Sequence, residues 1–269
     1  MKVKPLKKFG QNYLIDKNII NKIVEEIAPA ESDTIIEIGP GTGALTYPLS
    51  RKVNTLHAVE LDSRVIEELS RNIPNLRMIN ADFLKSDISD LTSGASEIRI
   101  VGNIPYNITS PILFRIIENR HIVKDAVLMM QYEVARRLVA KKDTKEYGIL
   151  SVILNAIAEV KLCFKISPNV FHPRPNVDSA IVHLKLNKDI SGIPDLKLFI
   201  RVVKGAFGNR RKTLKNSFGN SIFADADFSK FPVDTTRRAE NLSIKEFVAI
   251  TEFLYRCGYR ADDNQHFQE

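Results

Sequence analysis

From Thr34 to about Gln131 the chain alternates short apolar runs, rich in β-branched residues, with longer segments whose apolar positions recur every three or four residues. Thr34–Ile38, Thr55–Val59, Leu76–Ile79, Ile98–Val101 and Ala126–Met130 read as strands. Between the second and third, Ser63–Asn72 sets Val65, Ile66 and Leu69 on one face and predicts a crossover helix. A later helix is expected to open at Ser110-Pro111, the serine capping its first turn and the proline standing where a missing N–H leaves no bond unmade. Such strand–helix repetition predicts βαβ units and a mostly parallel sheet, an α/β fold.

Gly148–Ala158 and Ala180–Leu186 read as two further strands completing that sheet. Residues 187–194 are turn-rich and mark a boundary. Beyond them the pattern is helical: Leu196–Phe207, a basic stretch from Arg210 to Lys215, and Ser243–Tyr255. The last carries a capping box, Ser243 with Glu246, and Gly258 as its stop. Two domains are therefore expected, residues 1–187 as the α/β domain and 188–269 as a small all-α domain.

Composition changes this picture little. With 44% hydrophobic and 26% charged residues, the 269-residue chain can bury a sizeable core and is not of the disordered or disulfide-rich kind. The excess of 39 Lys+Arg over 32 Asp+Glu gives +7 and favours a polyanionic partner. Cys163 and Cys257 stand far apart without metal-ligand spacing, so no metal is expected, and both read as buried thiols. The basic N-terminus has no apolar stretch, and no run of about 18 apolar residues occurs, so the expectation is a cytoplasmic protein without membrane association.

The candidate chemistry lies at the strand ends. Ile35–Gly43 runs from a buried strand into Gly39-Pro40-Gly41-Thr42-Gly43, whose glycines allow torsions and close approaches closed to other residues. The spacing is GxGxG, one place short of the dinucleotide pattern, which argues against a nicotinamide oxidoreductase. Glu60 ends the next strand, where a carboxylate can accept from both hydroxyls of a ribose, and Asp82 follows the third, placed for an adenine amino group. Together these three strand ends resemble class I S-adenosylmethionine (SAM) methyltransferases.

Asn103-Ile104-Pro105-Tyr106 ends the fourth strand. An exocyclic adenine amine is a poor nucleophile because its lone pair is delocalised into the ring. Acceptors aimed at its N–H groups help it pyramidalise, and the Asn103 side-chain oxygen with a carbonyl of the Ile104-Pro105 step can serve, Pro105 stiffening the loop. Tyr106 can stack on an extruded base, and its π face also suits a sulfonium cation. The histidines at 57, 121, 172, 183 and 266 form no catalytic pair in sequence.

Phe9–Leu14 (Phe-Gly-Gln-Asn-Tyr-Leu), the glycine turn, Asn103–Tyr106, His172-Pro173-Arg174-Pro175 and Arg210–Leu214 follow in that order. The set resembles the ribosomal RNA adenine N6-dimethyltransferases over essentially the whole chain, and within them the bacterial KsgA type. That resemblance implies dimethylation of two adjacent adenosines near the 3′ end of small-subunit rRNA, coupled to 30S assembly. It assigns Gln11, Asn12 and Leu14 to the cofactor, the last two at its methionine end. It puts Gly39 and Gly41 in the cofactor turn, Glu60 on the ribose, Asp82 on the adenine, and Asn103 on both cofactor and target amine. Tyr106 and Phe171 would sandwich the target base, although Phe171 alone reads as core. Tyr13 departs from the phenylalanine usual in the family but keeps the ring.

The Erm resistance methyltransferases, which act on large-subunit rRNA, share the first half. Arg210–Asn216 and Arg238–Ser243 are instead similar to the KsgA type. A non-catalytic ribosome-assembly factor is the reading from another class, disfavoured by the intact Asn103–Tyr106 loop. Arg201, Lys204, Arg210, Arg211, Lys212 and Lys215 stand in a stretch without acids, and Lys2, Lys4, Lys7 and Lys8 add a second basic cluster, so RNA phosphates are the expected partner. No heptad calls for oligomerisation, and a monomer is expected.

Overall fold

The computed structural model describes residues 11–92 and 94–261. In chain order the strands are β1 (Tyr13–Leu14), β2 (Thr34–Ile38), β3 (Thr55–Glu60), β4 (Leu76–Asn80), β5 (Ile98–Asn103), β6 (Val123–Gln131), β7 (Glu159–Ile166), β8 (Phe171–His172) and β9 (Ser179–Lys185). The helices are α1 (Lys17–Ile27), α2 (Thr46–Leu49), α3 (Ser63–Asn72), α4 (Ile88–Leu91), α5 (Thr109–Glu118), α6 (Tyr132–Leu138), α7 (Ile149–Ile157), α8 (Leu196–Phe207), α9 (Leu214–Phe218) and α10 (Ile244–Arg256).

Seven strands form one sheet in the order β4-β3-β2-β5-β6-β9-β7. The β4-β3-β2-β5-β6 stretch is parallel, and β9 runs antiparallel to β6 from Asp125↔Lys185 to Gln131↔Ser179. β1 and β8 make a separate antiparallel pair, Tyr13↔His172 and Leu14↔Phe171. The five strands and the crossover helix expected between Thr34 and Gln131 are all present. α3 forms because Asp62 caps it, accepting from the Arg64 N–H, and because Val65 and Leu69 bury one stripe against the sheet. β2 lies between β3 and β5, so the chain leaves it in one direction and returns on its other side. That reversal opens a crevice at the carboxyl ends of β2 and β5, where open α/β sheets bind ligands.

Three expectations are corrected. Gly148–Ala158 is not a strand but contains α7, and the sheet is completed by β7 instead. A short run apolar on every side has no visible period, so strand and buried helix look alike. α5 starts at Thr109, preceded by a 3-10 turn over Tyr106–Ile108, so Ser110 lies inside its first turn and does not cap it. Cys257 is exposed and Cys163 half-buried.

Two compact units are present. The first comprises the described residues up to Ala135 together with Val160–Leu186, and the second comprises Arg136–Glu159 with the described residues from Asn187 onward. The segment around α7, expected within 1–187, thus groups with the second unit. The core of the first unit gathers Ile35, Leu56, Val101 and Val127 from the sheet with Ile23, Ile27 and Leu69 from the helices. In the second unit Phe218, Phe223, Phe231 and Phe247 are buried, and α10 begins at a complete capping box between Ser243 and Glu246. Among the described residues no helix is long and apolar enough to cross a membrane, and no group of three or more His, Cys, Asp or Glu could hold a metal.

Candidate active site

Four successive strand ends converge on one cavity of about 280 Å³ in the first unit. Gln11, Asn12, Leu14, Gly39, Gly41, Glu60, Asp82, Asn103, Pro105 and Tyr106 all line it. Gly41 takes φ +52°, and a Cβ there would stand 3.0 Å from the Tyr13 ring, so the turn requires glycine on both counts. Gly102, one residue before Asn103, pairs with Ile38, and a Cβ would meet the Ile38 carbonyl at 2.6 Å. The bare backbone at Gly102 therefore lets β5 lie flush beside β2 where both enter the site.

Glu60 accepts from the Leu61 and Asp62 N–H groups through one oxygen, Oε1, at 2.8 and 2.9 Å. The Gly41 N–H of the glycine turn is a third backbone donor to the same carboxylate. Burial raises the Glu60 carboxyl, with the backbone donors opposing. Asp82 uses Oδ1 to accept from the Leu84 N–H at 3.0 Å, which fixes the turn after β4 and leaves Oδ2, 4.0 Å from Lys85 Nζ. Gln11 Nε2 donates to Asp62 at 3.4 Å, tying the N-terminal segment to the turn after β3.

Asn103 Nδ2 donates to the Asn12 carbonyl at 2.9 Å. With the amide nitrogen so engaged, the side chain offers Oδ1 as its acceptor. The Pro105 carbonyl accepts from the Ile108 N–H at 3.2 Å, so within the Ile104-Pro105 step the Ile104 carbonyl is the acceptor left over. Tyr106 is half-buried, and its hydroxyl shares a 2.7 Å hydrogen bond with Ser179.

Phe171 is not brought to the cavity wall. It is 4% exposed and belongs to the hydrophobic core, its strand β8 paired with β1 so that Leu14 and Phe171 are register partners. As placed, it supports the Tyr13–Leu14 strand from behind, and an apolar ring beside an apolar partner is reason enough for its burial.

Glu37 also reaches the cavity, unmarked by any motif. It is fully buried within β2, lines the cavity, and its Oε2 has no hydrogen-bond partner. Burial pushes its carboxyl up to about 7, the nearby Thr46 hydroxyl opposing and the Glu60 charge adding. The available signal was an acid inside the apolar run Thr34–Ile38 directly before a glycine turn. Because the folded value lies above the ordinary 4.5, Glu37 leaves stability intact below that pH and subtracts from it as pH rises through about 7. Glu37→Gln is therefore expected to raise the thermal midpoint of the ligand-free protein at pH 8, by up to about 3 kcal/mol of stability, and to change it far less at pH 5. Calorimetry at the two pH values measures this, and equal shifts would contradict it.

A family model described as ribosomal RNA adenine dimethylase matches residues 3–256. The chain belongs to that family. It is 44% identical over 259 residues to ribosomal RNA small subunit methyltransferase A of Francisella tularensis subsp. novicida, covering 94% of this chain and 98% of that protein. The corresponding protein of Chlorobium phaeobacteroides is 45% identical over 248 residues, covering 91% and 90%. Among solved structures, a dimethyladenosine transferase from Plasmodium falciparum superposes with TM-score 0.78 at 26% identity, covering 91% of this chain and 98% of that one. The 23S rRNA methyltransferase ErmE, also 26% identical and covering 91% and 100%, superposes with TM-score 0.65. The chain is accordingly an rRNA adenine dimethylase with the class I methyltransferase fold, and the Erm reading is the less supported one.

The family and fold imply SAM as the dimethylase's cofactor. The lining suits such a polar, cation-bearing molecule. Two of its buried polar atoms, Glu37 Oε2 and the Tyr13 hydroxyl, have no protein partner, and a Cβ at Gly39 would meet nothing within 4 Å.

The basic stretch of the dimethylase's second unit is divided in role. Arg210 donates to the carbonyls of Lys145 and Tyr147 at 2.7 and 3.0 Å and pairs with Glu240 at 3.4 Å, while Arg201 donates to the Ala261 carbonyl. Lys204, Arg211, Lys212 and Lys215 are exposed. Most of Arg210–Lys215 is turn leading into α9, not helix. Lys2, Lys4, Lys7 and Lys8 lie outside the described residues.

Proposed function

We propose that this dimethylase methylates N6 of two adjacent adenosines near the 3′ end of small-subunit rRNA within an immature 30S particle, acting as a monomer in the cytoplasm. The observation that carries the chemistry is the Asn103–Asn12 bond, which turns the Asn103 amide so that its oxygen is the group presented. That oxygen and the Ile104 carbonyl would accept the two N6–H groups of the target, drawing the amine toward a tetrahedral shape and freeing its lone pair. Tyr106 offers its face to the extruded base.

Glu60 would hold the cofactor's ribose, Asp82 its adenine, and Asn12 with Leu14 its methionine end, while Gln11 and the turn glycines Gly39 and Gly41 complete the cofactor site. When bound, SAM supplies an electrophilic methyl on a sulfonium, which the N6 lone pair takes up as the carbon–sulfur bond breaks. Most of the acceleration then comes from holding donor and amine in line, so no titrating base is required. After transfer the cationic nitrogen loses one proton to solvent, and the monomethylated amine keeps one hydrogen and its lone pair, so one of the two acceptors can still engage it and the step can repeat once the spent cofactor is exchanged for SAM.

The small-subunit assignment is supported by the names of the 42–45% identical relatives. The test incubates the protein and labelled SAM with undermethylated 30S and 50S particles in parallel. Label is expected in dimethyladenosine from 30S alone, and transfer to 50S would overturn the assignment. Particle binding is expected to weaken steeply with added salt, because exposed Lys204, Arg211, Lys212 and Lys215 would displace counterions from phosphates. Salt-insensitive binding would remove those residues from the RNA contact.

A further inference from the structure

Tyr106 and Ser179 are 73 residues apart in sequence, yet their hydroxyls lie 2.7 Å apart. Ser179 opens β9 and is fully buried. Because β9 runs antiparallel to β6, its first residue stands at the carboxyl edge of the parallel strands, the edge that also carries Asn103. The ladder partner Gln131 and the 2.9 Å bond from the Tyr132 N–H to the Asp178 carbonyl fix the backbone on either side of that point. Ser179 is thus a rigid post.

Tyr106 is differently placed. It begins the 3-10 turn behind Pro105, and its ring can turn about two side-chain torsions. Stacking on a base uses only the π face, so a phenylalanine would supply the same surface. The phenol oxygen needs a separate reason, and Ser179 provides one. We propose that Ser179 is a positioning residue of the methyl transfer, its hydroxyl holding the Tyr106 ring in the orientation that receives the target adenine. This rests on the reading of Tyr106 as the stacking face. Ser179 touches neither base nor cofactor in this scheme, and it acts through Tyr106 alone.

The two hydroxyls should then behave as one unit. Ser179→Ala, Tyr106→Phe, the double variant, Ser179→Thr and Tyr106→Ala are compared with the parent on undermethylated 30S particles, with SAM affinity measured by calorimetry on the same preparations. Ser179→Ala and Tyr106→Phe are each expected to lower kcat about 10-fold, the scale of a misplaced reacting group, with SAM affinity unchanged. The double variant is expected to be no slower than either single one, and Ser179→Thr to restore the rate. Independent, multiplying losses would overturn the proposal, as would a loss of SAM affinity in Ser179→Ala matching its loss of rate. If Tyr106→Ala turns over like the parent, the stacking reading itself fails. If Tyr106→Ala is slow while Tyr106→Phe and Ser179→Ala are not, stacking stands and the positioning role falls.

Discussion

Asn103→Ala is expected to slow methyl transfer by about 10²- to 10³-fold, the range seen when one preorganised hydrogen-bonding group is removed from a reacting centre. Particle binding is expected to stay near that of the parent. The argument turns on what the side chain does at each end. Nδ2 is engaged with the Asn12 carbonyl at 2.9 Å, and Oδ1 is the acceptor proposed for the target amine. Alanine removes both. Losing the Nδ2 bond loosens the Gln11–Leu14 segment, which the Gln11–Asp62 contact and the β1–β8 pairing still hold, so SAM affinity should fall only a few-fold. Losing Oδ1 leaves the Ile104 carbonyl as the sole acceptor and the amine planar. Single-turnover transfer at saturating SAM separates the two, since saturation restores the first and not the second. A single-turnover rate like the parent's would end the role assigned to Asn103.

The features legible in sequence share a physical character. Gly39–Gly43, Glu60, Asp82 and Asn103 each sit where an apolar run ends, and in a parallel sheet all such ends fall on one edge. The strand pattern therefore carries the site with it. What stayed hidden depended on contacts between distant segments, or on a period that could not be seen. Ser179 reaches Tyr106 only because β9 reverses direction, which no local pattern announces. Phe171 belongs to the core because β8 pairs with β1 far back in the chain. In α7 the one helical clue was the pair Ser151 and Asn155, four apart. Both turn to the end of α6, Ser151 donating to the Arg137 carbonyl at 2.6 Å and Asn155 to the Leu138 carbonyl at 2.7 Å. Two polar positions in a nine-residue apolar run were too few to declare a face.

Arg99→Leu is expected to destabilise the first unit by about 3–5 kcal/mol, because it strips the partner from buried carboxylates. Arg99 lies near the start of β5, at the edge of the sheet away from Asn103. Its guanidinium grips Asp125 with two bonds of 2.7 Å, reaches Asp33 at 2.7 Å, and donates to the Ile27 and Ala28 carbonyls at the end of α1. One side chain thus caps a helix and neutralises two acids while 10% exposed. Asp125 also meets His183 Nε2 at 2.9 Å, and His183 Nδ1 meets Glu26 at 3.0 Å. With a carboxylate on each ring nitrogen, the Asp125 bond foremost, the imidazole is held above its ordinary 6.5, against the burial that lowers it. Since the folded value exceeds the unfolded one, His183 contributes its full stability below about pH 6.5 and loses it as pH rises through the folded value. For Asp125, burial acts upward but His183 and Arg99 prevail and hold it low, so its contribution is present above about pH 4 and is lost on acidification. Urea denaturation followed from pH 5 to 9 should show the parent midpoint declining at the alkaline end. His183→Gln should lessen that decline, leaving the part that Glu37 contributes, while Arg99→Leu lowers the whole curve. A decline that persists unchanged in His183→Gln would place its origin elsewhere, and an Arg99→Leu midpoint within about 1 kcal/mol of the parent would mean that Asp33 and Asp125 find other partners.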